Sequence, residues 1–490
     1  STTGQGRMLR TLVAWREISK DPSWDRLIRE LVGGMKRIAI HRENYSFYPD
    51  GGFGEPFSYP RSGWKKTDEP KSETEGGEGS VVTMHGHQIQ GLMRWYAMSG
   101  DEEALDLAAR LTRFCMLPKF WGGLPVVPEK GRKVLGHIAN MAPSAVGVAG
   151  PEMGHWYTHF HARAGALRGM LEYGMTARDE RVLEFVRRAY EYTWTFGIPS
   201  IGWVNCHPGT FNLCEGCALG DLVALAIRLT DAGVGDYWDD VDAVVRNHLM
   251  EQQLVDADRL ERVAAASQEC DVKEKAPHDR QVSVEDVIQR SLGNYAGVSA
   301  PTSIPDPWVM QCCTGNGTQG LYYGWESIVR QSADSAQVNL LLNRAAPGLD
   351  VDSFLPYEGK VIIRNKNLVR VSVRIPSWVA QRQIHSRVAG KERSGVRIGN
   401  FLMFDDLTPG DLIQLEFPIR ERSAEYTANS RTKMEQTYKC TFRGSTLVDI
   451  SPRDSSPTSY PLYVRQHMRR DKAPMKKTSR FVAERTILQW

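Results

Sequence analysis

The hydrophobic periodicity of this 490-residue chain changes near residue 335, and that change constrains the fold more than any other feature. From residue 85 to about 335, apolar residues recur at i, i+3, i+4 and i+7, which is the spacing of one face of an α-helix. After that point they alternate with polar residues, as in a strand that buries one face. The pattern predicts a helical part followed by a sheet part, and the length favours two or three units over one compact domain.

The helical part contains a series of helical hairpins. In "HQIQGLMRWYAMSGD" the residues Ile89, Leu92, Met93 and Tyr96 form one apolar face, and "DEEALDLAARLTRFC" repeats the pattern after an acidic start. Similar acid-started helices follow, each after another helical segment and a short turn. Many antiparallel helix pairs in roughly 300 residues predict an α/α toroid or a solenoid.

The C-terminal third contains short alternating stretches. In "LVRVSVRIPSW" the residues Val369, Val371 and Val373 alternate with arginine and serine, and "DLIQLEFPI" alternates after the turn "TPGD". We therefore predict a helical domain over 1–335 and an antiparallel β-sandwich over 336–490.

Composition excludes some partners. The net charge of +3 is small for this length and argues against nucleic acid, and no run of about 18 apolar residues predicts a membrane span. The absence of a Met at the first residue favours export, whereas a metal-linked thiolate favours the cytoplasm. The sequence therefore does not decide the compartment. A homodimer is compatible with such a chain.

Five of the eight cysteines cluster in two short stretches. Three lie in "CHPGTFNLCEGC" (206–217), and Cys312 and Cys313 stand side by side ahead of "TGNG", which is typical of a turn. Adjacent cysteines are poor disulfide partners. Together the stretches offer several thiolates and a carboxylate, a donor set that suits Zn²⁺. A reactive nucleophile, disulfides to distant cysteines and chance clustering are the alternatives, and Cys115 in "LTRFCMLP" is predicted to pack as a small hydrophobe.

These motifs resemble glycoside hydrolase family 127, the β-L-arabinofuranosidase-like proteins. The similar stretches are "CEGCALGD" with the later "CC", "HGHQIQGLMRWYAMSGD", "HFHARAGALRGMLEYG", and "VRVSVRIPSW" followed by "GDLIQLEFP", which together span about residues 80 to 420. The resemblance implies an (α/α)6 barrel, or toroid, with a β-sandwich appendage. It also implies a carbohydrate substrate and a zinc site in which one thiolate is the nucleophile.

The zinc ligands that the resemblance implies are Glu215, Cys217, Cys312 and Cys313. Cys312 would attack the anomeric carbon, and His87 and His161 would line the sugar pocket. Retaining glycosidases normally use two carboxylates. A thiolate can replace the nucleophilic one if a metal keeps it deprotonated near neutral pH.

The sequence departs from the family at the general acid/base. The family places a Glu in a Gly-Glu-x-Phe turn shortly before the E-x-C motif, whereas this chain has "HPGTF" there, without a carboxylate. His207 is the nearest titratable side chain, and Glu152, also a candidate for sugar binding, Asp50 and Glu55 are other proton donors to consider.

The sequence therefore predicts a zinc-dependent, exo-acting glycosidase with a cysteine nucleophile. The first rival is a toroidal polysaccharide lyase or sugar epimerase that uses His and Tyr. The second rival is a non-catalytic sugar-binding protein with a structural zinc.

Overall fold

A computed structural model describes residues 2–48, 79–117, 159–206, 212–268, 285–429, 435–476 and 478–483. Helices dominate up to residue 327, and strands dominate from residue 329 onward. The protein is thus a mixed helix and sheet protein, with helices and strands in the order that the periodicity predicts.

The helices of the described residues are α1 Thr2–Ser19, α2 Trp24–Ile38, α3 Gly79–Ser99, α4 Glu102–Cys115, α5 Phe160–Ala177, α6 Glu180–Thr193, α7 Gly216–Asp231, α8 Trp238–Ala243, α9 Ala257–Ala266, α10 Val287–Ser291 and α11 Gln311–Ser327. Aspartates begin three of them: Asp101 and Asp179 each accept hydrogen bonds from two backbone amides of the first turn, and Asp256 accepts one. The predicted apolar face of α4, which includes Leu107, Leu111 and Cys115, is fully buried.

An arc of parallel helices forms the inside of the helical part. Helices α1, α3, α5, α7 and α11 pack in that order, each against the next, and α2, α4, α6 and α8 pack outside them. Neighbouring inner helices run parallel, because later residues of one contact later residues of the next. Between α5 and α7, for example, His161 contacts Asp221, and Glu172 contacts Arg228. The first turns of α5, α7 and α11 therefore meet at the same end of the arc.

The strands of the described residues are β1 Ile40–His41, β2 Ser46–Phe47, β3 Gly197–Ile198, β4 Trp203–Val204, β5 Cys214–Glu215, β6 Val298–Ser299, β7 Ser303–Pro305, β8 Val329–Gln331, β9 Ser335–Val338, β10 Arg344–Ala345, β11 Leu349–Ser353, β12 Lys360–Asn365, β13 Arg370–Arg374, β14 His385–Val388, β15 Lys391–Glu392, β16 Val396–Ile398, β17 Phe401–Phe404, β18 Leu412–Glu416, β19 Glu421–Ala428, β20 Gln436–Arg443, β21 Thr446–Ser451 and β22 Ser459–Pro461. The larger sheets have the orders β10-β11-β12-β18-β14-β15, β16-β17-β13-β9-β8 and β19-β20-β21. Pairs β1-β2, β3-β4, β5-β6 and β7-β22 form short two-stranded sheets.

The sheets differ from the sequence prediction in two details. Strand β13 pairs with β9 in parallel, so the five-stranded sheet is mixed and not purely antiparallel. Val369 precedes β13 and is half exposed, whereas Val371 and Val373 are buried as predicted. The predicted alternation of buried and exposed side chains is correct within β13, but it does not extend to Val369, the residue before the strand.

Buried polar contacts join the helices to the sheets. Helix α8 continues as a turn of π-helix over Val244–Leu249, from which Asn247 bonds the backbone of Ser445 and Leu447. Arg374 on β13 is buried and bonds Asp239 at 2.7 Å beside the start of α8. No helix in the described ranges has the length and the apolar character that crossing a bilayer requires.

Candidate metal centre

Three thiols meet where helices α7 and α11 begin. The Sγ atoms of Cys217, Cys312 and Cys313 all lie within 4.8 Å of one another. The sulfur of Cys313 is 3.5 Å from that of Cys217 and 4.0 Å from that of Cys312. All the cysteines of the described residues are free, so the disulfide alternative finds no support there.

Close helix packing brings the two cysteine motifs together. A Cβ on Gly220 would lie 2.4 Å from the carbonyl oxygen of Asn316, and one on Gly320 would lie 2.8 Å from the Cα of Gly220. The interpretation of "TGNG" as a turn is wrong, because these residues belong to α11. The glycines allow α11 to approach α7, and this contact outweighs their low helix propensity.

The sulfur positions fit a tetrahedral zinc ion. A Zn–S bond is about 2.3 Å, so two thiolates on one tetrahedral ion lie roughly 3.8 Å apart. The separations of 3.5 Å and 4.0 Å fall on either side of this value, and the third, between the sulfurs of Cys217 and Cys312, is at most 4.8 Å. Both helix N-termini also point positive partial charge at the thiols, which favours their ionised form.

The surroundings of the thiols are polar and sulfur-rich. Asn316 donates its Nδ2 to the sulfur of Cys217 at 3.2 Å, and the Cys313 thiol donates to the carbonyl oxygen of Gly297 at 3.2 Å. The sulfur of Met310 lies 3.1 Å from that of Cys312. Cys312 is exposed, whereas Cys217 and Cys313 are buried.

The three thiols differ in pKa. The pKa of Cys313 is lowered to about 7, chiefly because the Cys217 thiol donates to it. The pKa of Cys217 is raised by the same bond and then by burial, and that of Cys312 is raised by burial and by the charge on Cys313. Cys313 thus ionises first, and a cation bound among the thiols would lower the pKa of all three.

Glu215, the fourth predicted ligand, lies beside the cluster but is not one of the described residues that group within 4.8 Å. It precedes α7 on β5, and its Oε2 is 2.8 Å from Nε2 of His159. The structure thus brings three of the four predicted ligands together, and the fourth, Glu215, bonds His159.

A second group of side chains lies near the start of α5. Nδ1 of His161 is 2.6 Å from Asp221, and Arg168 donates to the other oxygen of Asp221 at 3.1 Å. Burial disfavours protonation of His161, but Asp221 outweighs it, so the pKa of His161 is raised. Burial likewise favours a neutral Asp221, but His161 and Arg168 outweigh it and lower the pKa of Asp221.

His87 has a different environment. It is buried on α3, and its Nδ1 has no hydrogen-bond partner among the described residues. Its pKa is lowered to about 3 by burial and then by Arg7 and Arg10. A neutral imidazole with one unused nitrogen can bond a hydroxyl group of a ligand.

Four predicted residues lie outside the described residues. They are His207, Glu152, Asp50 and Glu55. The proton-donor assignment therefore stays a prediction.

Two further site residues, which were not predicted, lie at helical spacing from the cysteines. Asp221 stands four residues after Cys217, and Asn316 stands three after Cys313, so each lies one turn from a cysteine. Asn316 escaped notice because its stretch was interpreted as a turn. Gln252, which donates to the carbonyl oxygen of Cys214 at 3.1 Å, has no such signal in the sequence.

No protein-family model matches the chain, and no curated protein matches it in sequence. Solved structures do match. One is a β-L-arabinofuranosidase of glycoside hydrolase family 127 from Geobacillus stearothermophilus T6, with 13% identity, a TM-score of 0.44, and coverage of 91% of this chain and 76% of that one. A second is a β-arabinofuranosidase of family 127, with 13% identity, a TM-score of 0.49, and coverage of 91% and 75%.

A third match is described as a glycoside hydrolase, with 11% identity, a TM-score of 0.50, and coverage of 91% of this chain and 78% of that one. At such low identity the similarity concerns the fold alone. The chain thus shares its fold with a glycoside hydrolase, and the solved structures that it matches include members of the family that its cysteine motifs resemble.

Proposed function

We propose that the chain is a zinc-dependent, exo-acting glycoside hydrolase that cleaves plant, algal or microbial glycans with retention of anomeric configuration. The helical domain over 1–335 would form an (α/α)6 toroid, and residues 336–490 would form a β-sandwich. The observation that carries the proposal is the meeting of three thiols at the first turns of two inner helices.

The residues that would hold the zinc ion are Glu215, Cys217, Cys312 and Cys313. Bound there, the ion would keep the thiolates deprotonated near neutral pH and hold them in place. The bond between Glu215 and His159 supports this role, because a ligating carboxylate is commonly oriented by a second hydrogen bond.

Exposure selects the nucleophile among the three cysteines. Cys312 is the exposed member of the cluster, so its side chain is the one of the three that is most open to a sugar. Its thiolate would form a bond to the anomeric carbon while the bond from that carbon to the aglycone oxygen breaks. Water would then attack the same carbon and release Cys312 as a thiolate, and two displacements give net retention.

A proton must reach the departing aglycone oxygen in the first step, and a base must take one from water in the second. His207, next to the cysteine motif in sequence, is our candidate for both roles. His87 and His161 would bond sugar hydroxyl groups. The Nδ1 of His87, which no described residue bonds, and the fixed ring of His161 are suited to this. Glu152 is the remaining candidate for substrate binding.

Covalent trapping tests this proposal. A sugar-derived epoxide should add one label to the protein, and peptide mass spectrometry should place it on Cys312. The matched control is Cys312→Ser, which should take no label and lose turnover while its circular dichroism stays close to wild type. Label on another residue, or turnover by Cys312→Ser at the wild-type rate, would refute the nucleophile. An unsaturated sugar product would instead indicate the lyase alternative.

A further inference from the structure

A cavity lies at the end of the helical arc opposite the thiols. It encloses about 980 Å³ and is lined from the later turns of α1, α3, α5, α7 and α11, together with the start of the sheets. The thiols and His161 belong to the first turns of the same parallel helices. On α7 and α11 the lining begins at Ala224 and Tyr322, about two helical turns or more beyond the thiols. Arg168 of the wall also donates to Asp221, so the cavity adjoins the pair of His161 and Asp221 but not the thiols.

The cavity wall is strongly basic. Its lining has eight arginine and lysine side chains against four carboxylates. Most of these charges are already paired: Arg94 bonds Glu17 at 2.9 Å, Arg228 bonds Glu172 at 2.8 Å, and Arg330 bonds Asp231. The ion pairs neutralise part of the wall, so the charge available to a ligand is that of the unpaired arginines.

Two guanidinium groups in the cavity wall have no acidic partner among the described residues. Arg344 on β10 is 6% exposed, and its Nε and Nη1 are buried with no hydrogen-bond partner in the part of the chain that the structure describes. Its guanidinium stacks on the ring of Trp325, and Glu326 acts on it only at longer range. Arg10 on α1 has no ion pair with a described residue, and its burial beside Arg168 and Arg94 lowers its pKa to about 10.

An unpaired buried guanidinium is unfavourable unless a ligand completes its hydrogen bonds. Arginine presents a planar fork that matches the two oxygens of a carboxylate or a phosphate. Apolar side chains such as Val13, Met93 and Leu171 share the wall with these charges, and the volume is that of a small-molecule site. The cavity thus combines a charge anchor with room for an organic body.

We propose that this cavity is a second ligand site, distinct from the thiol centre, which binds a small organic oxyanion through the unpaired guanidinium groups of Arg344 and Arg10. The oxyanion is either a phosphate monoester or a carboxylate, and both are recognised by the same forked contact.

Calorimetric titration of the full chain tests this site, with glucose 6-phosphate, glucuronate and uncharged glucose as probes. We expect one of the two anions to bind and glucose not to bind, and the preferred anion identifies the class. Arg344→Gln and Arg10→Gln should each weaken binding by about tenfold or more, because each removes a charged hydrogen-bond donor. Arg344→Lys keeps the charge but loses the fork, so it should weaken binding as well.

The matched control is Arg330→Gln, which removes one positive charge from the same wall but from an arginine that is already paired. It should change affinity by less than about threefold, since only long-range attraction is lost. No binding of either anion, equal binding of glucose, or equal weakening by all the arginine variants would overturn the proposal. Cys312→Ser should bind the anion as wild type does, so failure of the glycosidase assignment would not affect this result.

Discussion

At the residue scale, the interaction of His161 with Asp221 controls a charge beside the proposed sugar pocket. The raised pKa of His161 means that its contribution to stability is fully present below its ordinary value of 6.5 and is lost as pH rises through the higher folded value. The lowered pKa of Asp221 means that its contribution is present above its ordinary value of 3.8 and is lost as pH falls through the folded value. The pair of His161 and Asp221 therefore stabilises the fold most between the two ordinary pKa values, 3.8 and 6.5.

Asp221→Asn should lower the pKa of His161 below that of wild type, because it removes the carboxylate that favours the imidazolium. It should also reduce the free energy of unfolding by about 3 kcal/mol near pH 5.5, since it leaves Arg168 buried without its acid. Histidine NMR titration and urea unfolding measure the two effects. Asp106→Asn, an exposed acid on α4, is the control and should change neither. An unchanged His161 pKa in Asp221→Asn would contradict this interpretation.

At the element scale, the approach of α7 to α11 explains both what the sequence could predict and what it could not. The cysteine spacing predicted the thiol centre, because the clustering of cysteines is a property of the sequence itself. The helix through "TGNG" could not be identified, because its glycines disfavour an isolated helix. The contacts that hold it are tertiary: Gly317 lies against Tyr295, and Gly320 lies against Gly220 of α7. The parallel order of the inner helices likewise depends on contacts between residues far apart in sequence.

Gly220→Ala should separate α7 from α11, because the new Cβ would lie 2.4 Å from a backbone oxygen of α11. We expect a loss of about 1–3 kcal/mol in the free energy of unfolding and weaker zinc binding. Gly315→Ala on α11 is the matched control: its Cβ meets no atom within 4 Å, so it should stabilise the helix by up to about 1 kcal/mol. Equal effects of the two substitutions on zinc affinity would show that the close packing does not position the thiols.

At the scale of the whole molecule, the change of periodicity correctly predicted helices before strands, because burial on one face is a local pattern. The sequence did not show how the two parts are joined, since Arg374 and its partners Asp236 and Asp239 are more than 130 residues apart. Most of the arginines in the C-terminal third are typical of a solvated face, and Arg374 is distinguished from them only by its burial.

Arg374→Gln should reduce the free energy of unfolding by about 3 kcal/mol, because two carboxylates beside α8 lose a buried partner. The matched control is Arg364→Gln on β12, whose arginine is half exposed and paired with Asp352, and it should cost less than about 1 kcal/mol. Denaturant unfolding measures both variants. A similar small cost for each would mean that the contact does not hold the helical part to the sheets.

The most direct test of the proposed zinc centre is the metal content of the purified protein, measured by elemental analysis on wild type, Cys217→Ala and Cys115→Ala. Cys115 is buried far from the cluster in sequence and is not a member of it, so it controls for the loss of a thiol. We predict about one zinc ion per chain in wild type and in Cys115→Ala, and a large loss in Cys217→Ala. A wild-type protein free of metal, or a Cys217→Ala variant that keeps its zinc, would contradict the proposed centre.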